Sequence, residues 1–252
     1  MPLPYVLVST TGSRKTPCDH HALPITTGGI VAEAQACFAA GANGIHLHVR
    51  DSDGQHSLDP GRYRETMIEL ARIAPRLEVQ ITTEAGGHFD VETQLVCLQQ
   101  VAPEWASISV REINRDPALA NRIYAVCADQ GTRVQHILFD AEDEALLDRW
   151  QADDTVRAGQ TDRLLVLGRY STGQRATPAD LSGFGTPEKQ NCTWMACAFG
   201  AREHDCLEQA AHQGGDVRVG FENSTTQSDG TPWVDNAASV AALVARLKGN
   251  TA

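Results

Sequence analysis

Extended apolar segments and helical stretches alternate along the whole chain, and this alternation constrains the fold more than any single motif. The strand-like segments are 4–11, 44–50, 77–84, 105–111, 133–139, 163–169, 192–199 and 216–222. The helical stretches between and after them are 29–40, 60–74, 91–101, 117–130, 142–153, a weak one at 178–183, 204–213 and 236–248. Asp59-Pro60 and Asp116-Pro117 each place a capping carboxylate before a proline at the first helical position. Gly41 and Gly131 stand where a glycine ends a helix. Strict alternation predicts parallel strands, and eight such units can close on themselves. The expected fold is α/β, a single (β/α)8 TIM barrel over residues 1–252, close to the roughly 250 residues typical of that architecture. An open doubly wound sheet is the competitor, but the first strand runs into TTGSRKTP rather than a GxGxxG turn.

One strand carries more polarity than a buried strand should. In GIHLHVRD (44–51), Ile45, Leu47 and Val49 alternate with His46, His48 and Arg50. Successive strand side chains point to opposite faces, so in a barrel the apolar set goes under the helices and the polar set faces the axis. The eighth segment repeats the pattern, with Val217, Val219 and Phe221 outward and Arg218, Gly220 and Glu222 inward; the third adds Gln80, Thr82 and Glu84. Active sites of this fold lie at the C-terminal strand ends, where His48 and Glu222 fall. Histidines two apart on a strand have Cα atoms about 6–7 Å apart, so both rings can close on one ion, and Glu222 would complete a two-His, one-acid set with an open position. Hydrogen-bonded core histidines are the alternative, but several such groups facing one axis without a ligand would cost a few kcal/mol for each unpaired group. Arg218 reads either as a rim salt bridge or as an anchor for a substrate carboxylate.

Other features say less. His20-His21 lies in the first loop, where it either reaches the mouth or is solvated, and His136 shares a face with Leu138 and should tuck under the helices. Cys197 and Trp194 read as packing residues, and GxSxG and P-loop patterns are absent. No apolar run approaches the ~20 residues that span a bilayer, and no basic stretch precedes the short apolar run at the start. Seven cysteines without a CxxC pair fit reduced thiols and a cytoplasmic location. A net charge of −11 argues against nucleic acid as a partner, though a local arginine cluster can still bind a small anion.

The segment AGANGIHLHVRDSDGQHSLDPGRYRETM (40–67) resembles the metal-binding strand and following helix of the β-keto acid cleavage enzymes, the family of 3-keto-5-aminohexanoate cleavage enzyme. STTGSRKT, LPIT (23–26), VQITTEAGG (79–87), PEWASI (103–108), TWMACAFG (193–200) and GGDVRVGFENS (214–224) extend the likeness in order along the chain. The resemblance implies a zinc-dependent barrel, usually a homo-oligomer, that condenses a β-keto acid with acetyl-CoA to give acetoacetate and a new acyl-CoA. It implies Zn2+ or another divalent metal on His46, His48 and Glu222, a substrate-contacting, proton-transferring role for Arg218, and a thioester-assisting hydroxyl at Thr82. Thr11, Arg14 and Arg50 are the substrate-binding candidates.

The sequence departs from that pattern at named positions. Asn223 stands where family members commonly carry Asp, Arg14 where a glutamate is common, and Gln135 and Ile137 near the acidic positions of the fifth strand. Glu84 occupies a usually small position and could supply the missing carboxylate. Glu84 and Asn223 therefore join Arg218 and Thr82 as catalytic candidates. Two rivals remain: a metal-dependent hydrolase of the amidohydrolase type, and a non-catalytic binder of metal or a small ligand.

Overall fold

A computed structural model describes residues 3–173, 175–185 and 192–249. In chain order its elements are β1 (Val6–Val8), α1 (Thr27–Ala39), β2 (Gly44–Leu47), β3 (Val49–Arg50), β4 (His56–Ser57), α2 (Pro60–Ile73), β5 (Glu78–Thr82), α3 (Val91–Val101), β6 (Trp105–Ser109) and α4 (Val110–Ile113). They continue with α5 (Pro117–Asp129), β7 (Arg133–Leu138), α6 (Ala141–Ala152), β8 (Asp162–Leu167), a 3-10 turn (Pro178–Gly183), β9 (Trp194–Ala198), α7 (Glu203–His212), β10 (Asp216–Val219) and α8 (Asn236–Gly249). Strands β1, β2, β5, β6, β7, β8, β9 and β10 form a closed parallel barrel in that cyclic order, and β1 pairs with both β2 and β10. The (β/α)8 expectation holds.

Local signals set the helix boundaries. Asp59 Oδ1 accepts from Arg62 N at 2.8 Å and Asp116 Oδ1 from Ala118 N at 3.2 Å, each ahead of a proline that opens its helix. The weak stretch at 178–183 is a single 3-10 turn. The strands are shorter than the sequence suggests. Residues 110–111 belong to α4, and 49–57 fold into a small antiparallel hairpin, β3–β4, outside the barrel sheet.

Alternation sorts the side chains into two cores. Val6, Val8, Ile45, Leu47, Val134, Leu138, Val217 and Val219 pack in the layer between strands and helices. Leu7, Trp105, Ile137, Leu164, Val166, Met195, Cys197 and Phe199 fill the barrel itself. His136 lies on the helix side, where its Nε2–H donates to Gln160 O at 2.9 Å and Nδ1 sits 3.4 Å from the Tyr124 hydroxyl. Among the described residues no helix is long and apolar enough to cross a membrane.

Candidate metal centre

The inward faces of β2 and β10 meet above the apolar filling of the barrel. His46 and His48 are buried, Glu222 lies just beyond the end of β10, and one ligand atom from each lies within 4.8 Å of the others. His46 Nε2 is 3.8 Å from Glu222 Oε2, and His48 Nε2 is 3.5 Å from Oε1. Two ligands held tetrahedrally at about 2.0–2.1 Å from one ion stand about 3.4 Å apart, close to both separations.

The hydrogen bonds leave lone pairs for such an ion. His46 Nδ1 meets Gln80 Oε1 at 2.6 Å, while Gln80 Nε2 donates to Gln135 Oε1 at 3.0 Å. The Gln80 oxygen therefore faces the ring, Nδ1 carries the proton, and Nε2 presents its lone pair to the site. Neither ring nitrogen of His48 has a hydrogen-bond partner, although the residue is 1% exposed. A buried imidazole without partners is costly, and coordination by a divalent cation would satisfy it. Burial, reinforced by the Arg218 charge, holds His46 well below the usual imidazole range, so it stays neutral. Burial pushes the Glu222 carboxyl up, but its polar neighbours, the Arg218 guanidinium foremost, outweigh it, and the group stays ionised well below the ordinary carboxylate range. Two imidazole nitrogens and one carboxylate form a donor set suited to zinc and to other divalent metals.

A tight turn delivers Glu222. Gly220 has φ +138°, and a Cβ there would lie 2.4 Å from Ser9 O. Glu222 N donates to Ser9 O at 3.2 Å, and the Ser9 hydroxyl donates to Glu222 Oε2. Phe221, which alternation assigns to the helix layer, lies beyond the strand end with its ring 4.5 Å from that of His20. His20 Nε2 is 2.8 Å from Trp233 O, so this ring braces the loop.

The remaining candidates occupy distinct places. Arg218 is buried with Nη2 3.8 Å from Glu222 Oε2 and 3.5 Å from Cys197 Sγ, and its Nε and Nη1 have no partner. Thr82 is buried, and its Oγ1 accepts from Glu84 N at 3.0 Å. The Glu84 carboxylate reaches across the mouth to Arg169, 3.7 Å away, and that guanidinium lies 4.7 Å from the Phe199 ring centroid. Arg50 donates to the carbonyls of Gly12, Lys15 and Gly54 at 2.6, 2.9 and 3.1 Å, which ties down the first loop. Thr11 Oγ1 donates to Pro24 O at 2.9 Å, and Arg14 on the same loop is exposed. Asn223 touches the backbone of Arg218 rather than its guanidinium, with Nδ2 donating to the carbonyl at 3.1 Å.

Sequence reasoning missed Ser9, Lys15, Arg169 and Glu203. Ser9 was legible, since it follows the inward Leu7 by two. Lys15 comes from an irregular loop, and its Nζ donates to Phe221 O at 2.6 Å.

A family model described as beta-keto acid cleavage enzyme matches residues 5–250. The chain is 26% identical to a 3-oxoadipate:acetyl-CoA acetyltransferase of Cupriavidus necator, over 95% of this chain and 87% of that protein. It is 25% identical to a 3-keto-5-aminohexanoate cleavage enzyme of Fusobacterium nucleatum, over 87% and 82% respectively. Among solved structures, ObcA in its binary complex with oxaloacetate superposes with a TM-score of 0.64 at 17% identity, over 92% of this chain and 64% of ObcA. A type I 3-dehydroquinate dehydratase of Clostridium difficile gives a TM-score of 0.64 at 10% identity, over 99% and 94%. At those identities the structural matches speak to the barrel fold alone. With a family match spanning nearly its whole length, the chain belongs to the β-keto acid cleavage enzyme family.

Proposed function

We propose that this chain condenses a β-keto acid with acetyl-CoA at a divalent metal site, zinc being the expected ion, to give acetoacetate and a new acyl-CoA. The observation that carries the reading is the convergence of His46, His48 and Glu222 beside Arg218, whose Nε and Nη1 are buried without partners. The bound ion would supply Lewis acidity to the keto and carboxylate oxygens of the acid, favouring the negative charge that develops there as carbon–carbon bonds form and break.

The chain's own residues supply the rest. Arg218 presents its unpartnered N–H groups to the substrate carboxylate, a charge-assisted contact that orients the acid. Thr82 Oγ1 already accepts from Glu84 N, so its hydroxyl hydrogen is left to donate to a thioester carbonyl oxygen. Glu84 carries a carboxylate into the mouth, where it can receive a proton in place of the acid that Gln135 and Ile137 cannot provide. Asn223 exchanges no proton and holds the Arg218 carbonyl. Thr11 and Arg50 hold the first loop in place, and Arg14 is the residue of that loop open to an anionic coenzyme.

The test is acetoacetate formation by zinc-loaded protein with acetyl-CoA and a panel of β-keto acids, alongside metal analysis. Acetoacetate is expected only when acetyl-CoA is present, and His46→Ala is expected to lose the bound metal and at least about 100-fold in rate. No acetoacetate across the panel, or one equivalent of zinc retained by His46→Ala, would overturn the reading. Metal-dependent consumption of an acid without acetyl-CoA would point to hydrolysis instead.

A further inference from the structure

Helix α7 opens with Glu203, and an acidic residue in a first helical turn ordinarily stays in solvent, where it complements the helix dipole. Here the side chain turns inward and is 1% exposed. Its Oε1 accepts from Gly220 N at 3.0 Å and from Asn223 Nδ2 at 2.9 Å, while Oε2 is buried without a partner. Those two donors flank Glu222, two residues before it and one after. Asn223 Nδ2 also reaches the Arg218 carbonyl. A single carboxyl oxygen thus fastens both limbs of the turn that carries Glu222 and, through Asn223, the backbone of Arg218. Further restraints on the turn include the Phe221 N to Asn236 Oδ1 bond, 2.8 Å, the Lys15 Nζ to Phe221 O bond, 2.6 Å, the Gly200 N to Asn223 O bond, 3.3 Å, and the contacts with Ser9. Burial pushes the Glu203 carboxyl up to about 8, against its two hydrogen bonds and the Lys15 and Arg218 charges, so at neutral pH it serves mainly as an uncharged acceptor.

We propose that Glu203 is a positioning residue that sets the affinity of His46, His48 and Glu222 for a divalent cation, by clamping the Gly220–Asn223 turn through one acceptor oxygen. The inference rests on the metal reading above and extends it to a residue on a different element. Because the acceptor and not a charge does the clamping, glutamine should replace it.

The experiment measures the Zn2+ dissociation constant of full-length protein by competition with a chromophoric chelator, with thermal melts on each variant. Glu203→Ala is expected to bind Zn2+ about 10- to 100-fold more weakly, and Glu203→Gln to stay within about threefold of wild type, the range by which outer partners of metal ligands act. Asn223→Ala, which removes only the amide arm and covers the case in which Glu203→Ala does not fold, is expected to lose about three- to tenfold. His136→Gln, remote from the site, is the control: it should lower stability without moving the Zn2+ affinity. Wild-type affinity in a folded Glu203→Ala or in Asn223→Ala, or Glu203→Gln as weak as Glu203→Ala, would overturn the proposal while leaving the metal site intact. Wild-type protein that binds no zinc would overturn both.

Discussion

At the scale of single residues, the candidate centre depends on two places where no side chain fits. Gly220 combines a positive φ with close approach to Ser9 O, and a Cβ on Gly12, φ +69°, would lie 2.7 Å from Glu222 Cγ. Gly220→Ala must move either the β1 backbone or the turn that delivers the glutamate. Strain of this kind costs on the order of 1–3 kcal/mol. The expected outcome is a lower urea midpoint together with weaker Zn2+ binding, read by denaturation and chelator competition on one preparation. Loss of stability with unchanged Zn2+ affinity would show that the turn relaxes without disturbing Glu222.

At the scale of elements, strand periodicity made most of the site legible. The two-residue repeat in GIHLHVR and DVRVGFE placed His46, His48 and Arg218 inward, because the barrel leaves each strand one face under helices and one on the axis. Phe221 and Glu222 were harder, since β10 ends at Val219 and the residues beyond it follow a turn rather than a pleat. Glu203 carried no signal, because an acid at a helix start reads as a dipole partner until its side chain is seen to bend inward. Alternation placed Arg50 on the axis side, but the β3–β4 hairpin takes it out of the barrel sheet, and its fork serves loop carbonyls. His136 shows the outward face at work. Burial, only partly offset by the bond to Gln160, pushes it down to about 4, against about 6.5 in an unfolded chain. A depressed imidazole contributes stability that is complete above pH 6.5 and is lost as the pH falls through 4, about 3 kcal/mol in all. The difference in unfolding free energy between wild type and His136→Gln should therefore shrink by about that amount from pH 7 to pH 4. The raised carboxyls of Glu112 and Glu203 act in the opposite direction but are common to both proteins and cancel.

At the scale of the whole molecule, an acidic protein surrounds a mouth rich in cations. The chain carries −11, yet Lys15, Arg50, Arg169 and Arg218 all converge on the C-terminal end of the barrel, against the carboxylates of Glu84 and Glu222. An anion as highly charged as acetyl-CoA meets repulsion at long range and attraction only near the site. Raising ionic strength from about 10 to 100 mM shortens the Debye length from about 30 to 10 Å, which screens the distant repulsion more than contacts inside the mouth. The expected result is a rise in kcat/KM for acetyl-CoA over that interval, measured at saturating β-keto acid; a fall would mean that the local cations govern encounter. The pairing of β1 with β10 has a further effect. The imidazoles come from the early part of the chain and the carboxylate from the turn after its last strand, with Ser9 and Glu222 joined across the seam where the ring shuts. During synthesis, a ribosome-bound chain still missing β10 and the turn after it has only two of the three candidate donors, so tight uptake of the proposed ion would wait for that last segment to dock and would report that the barrel is complete.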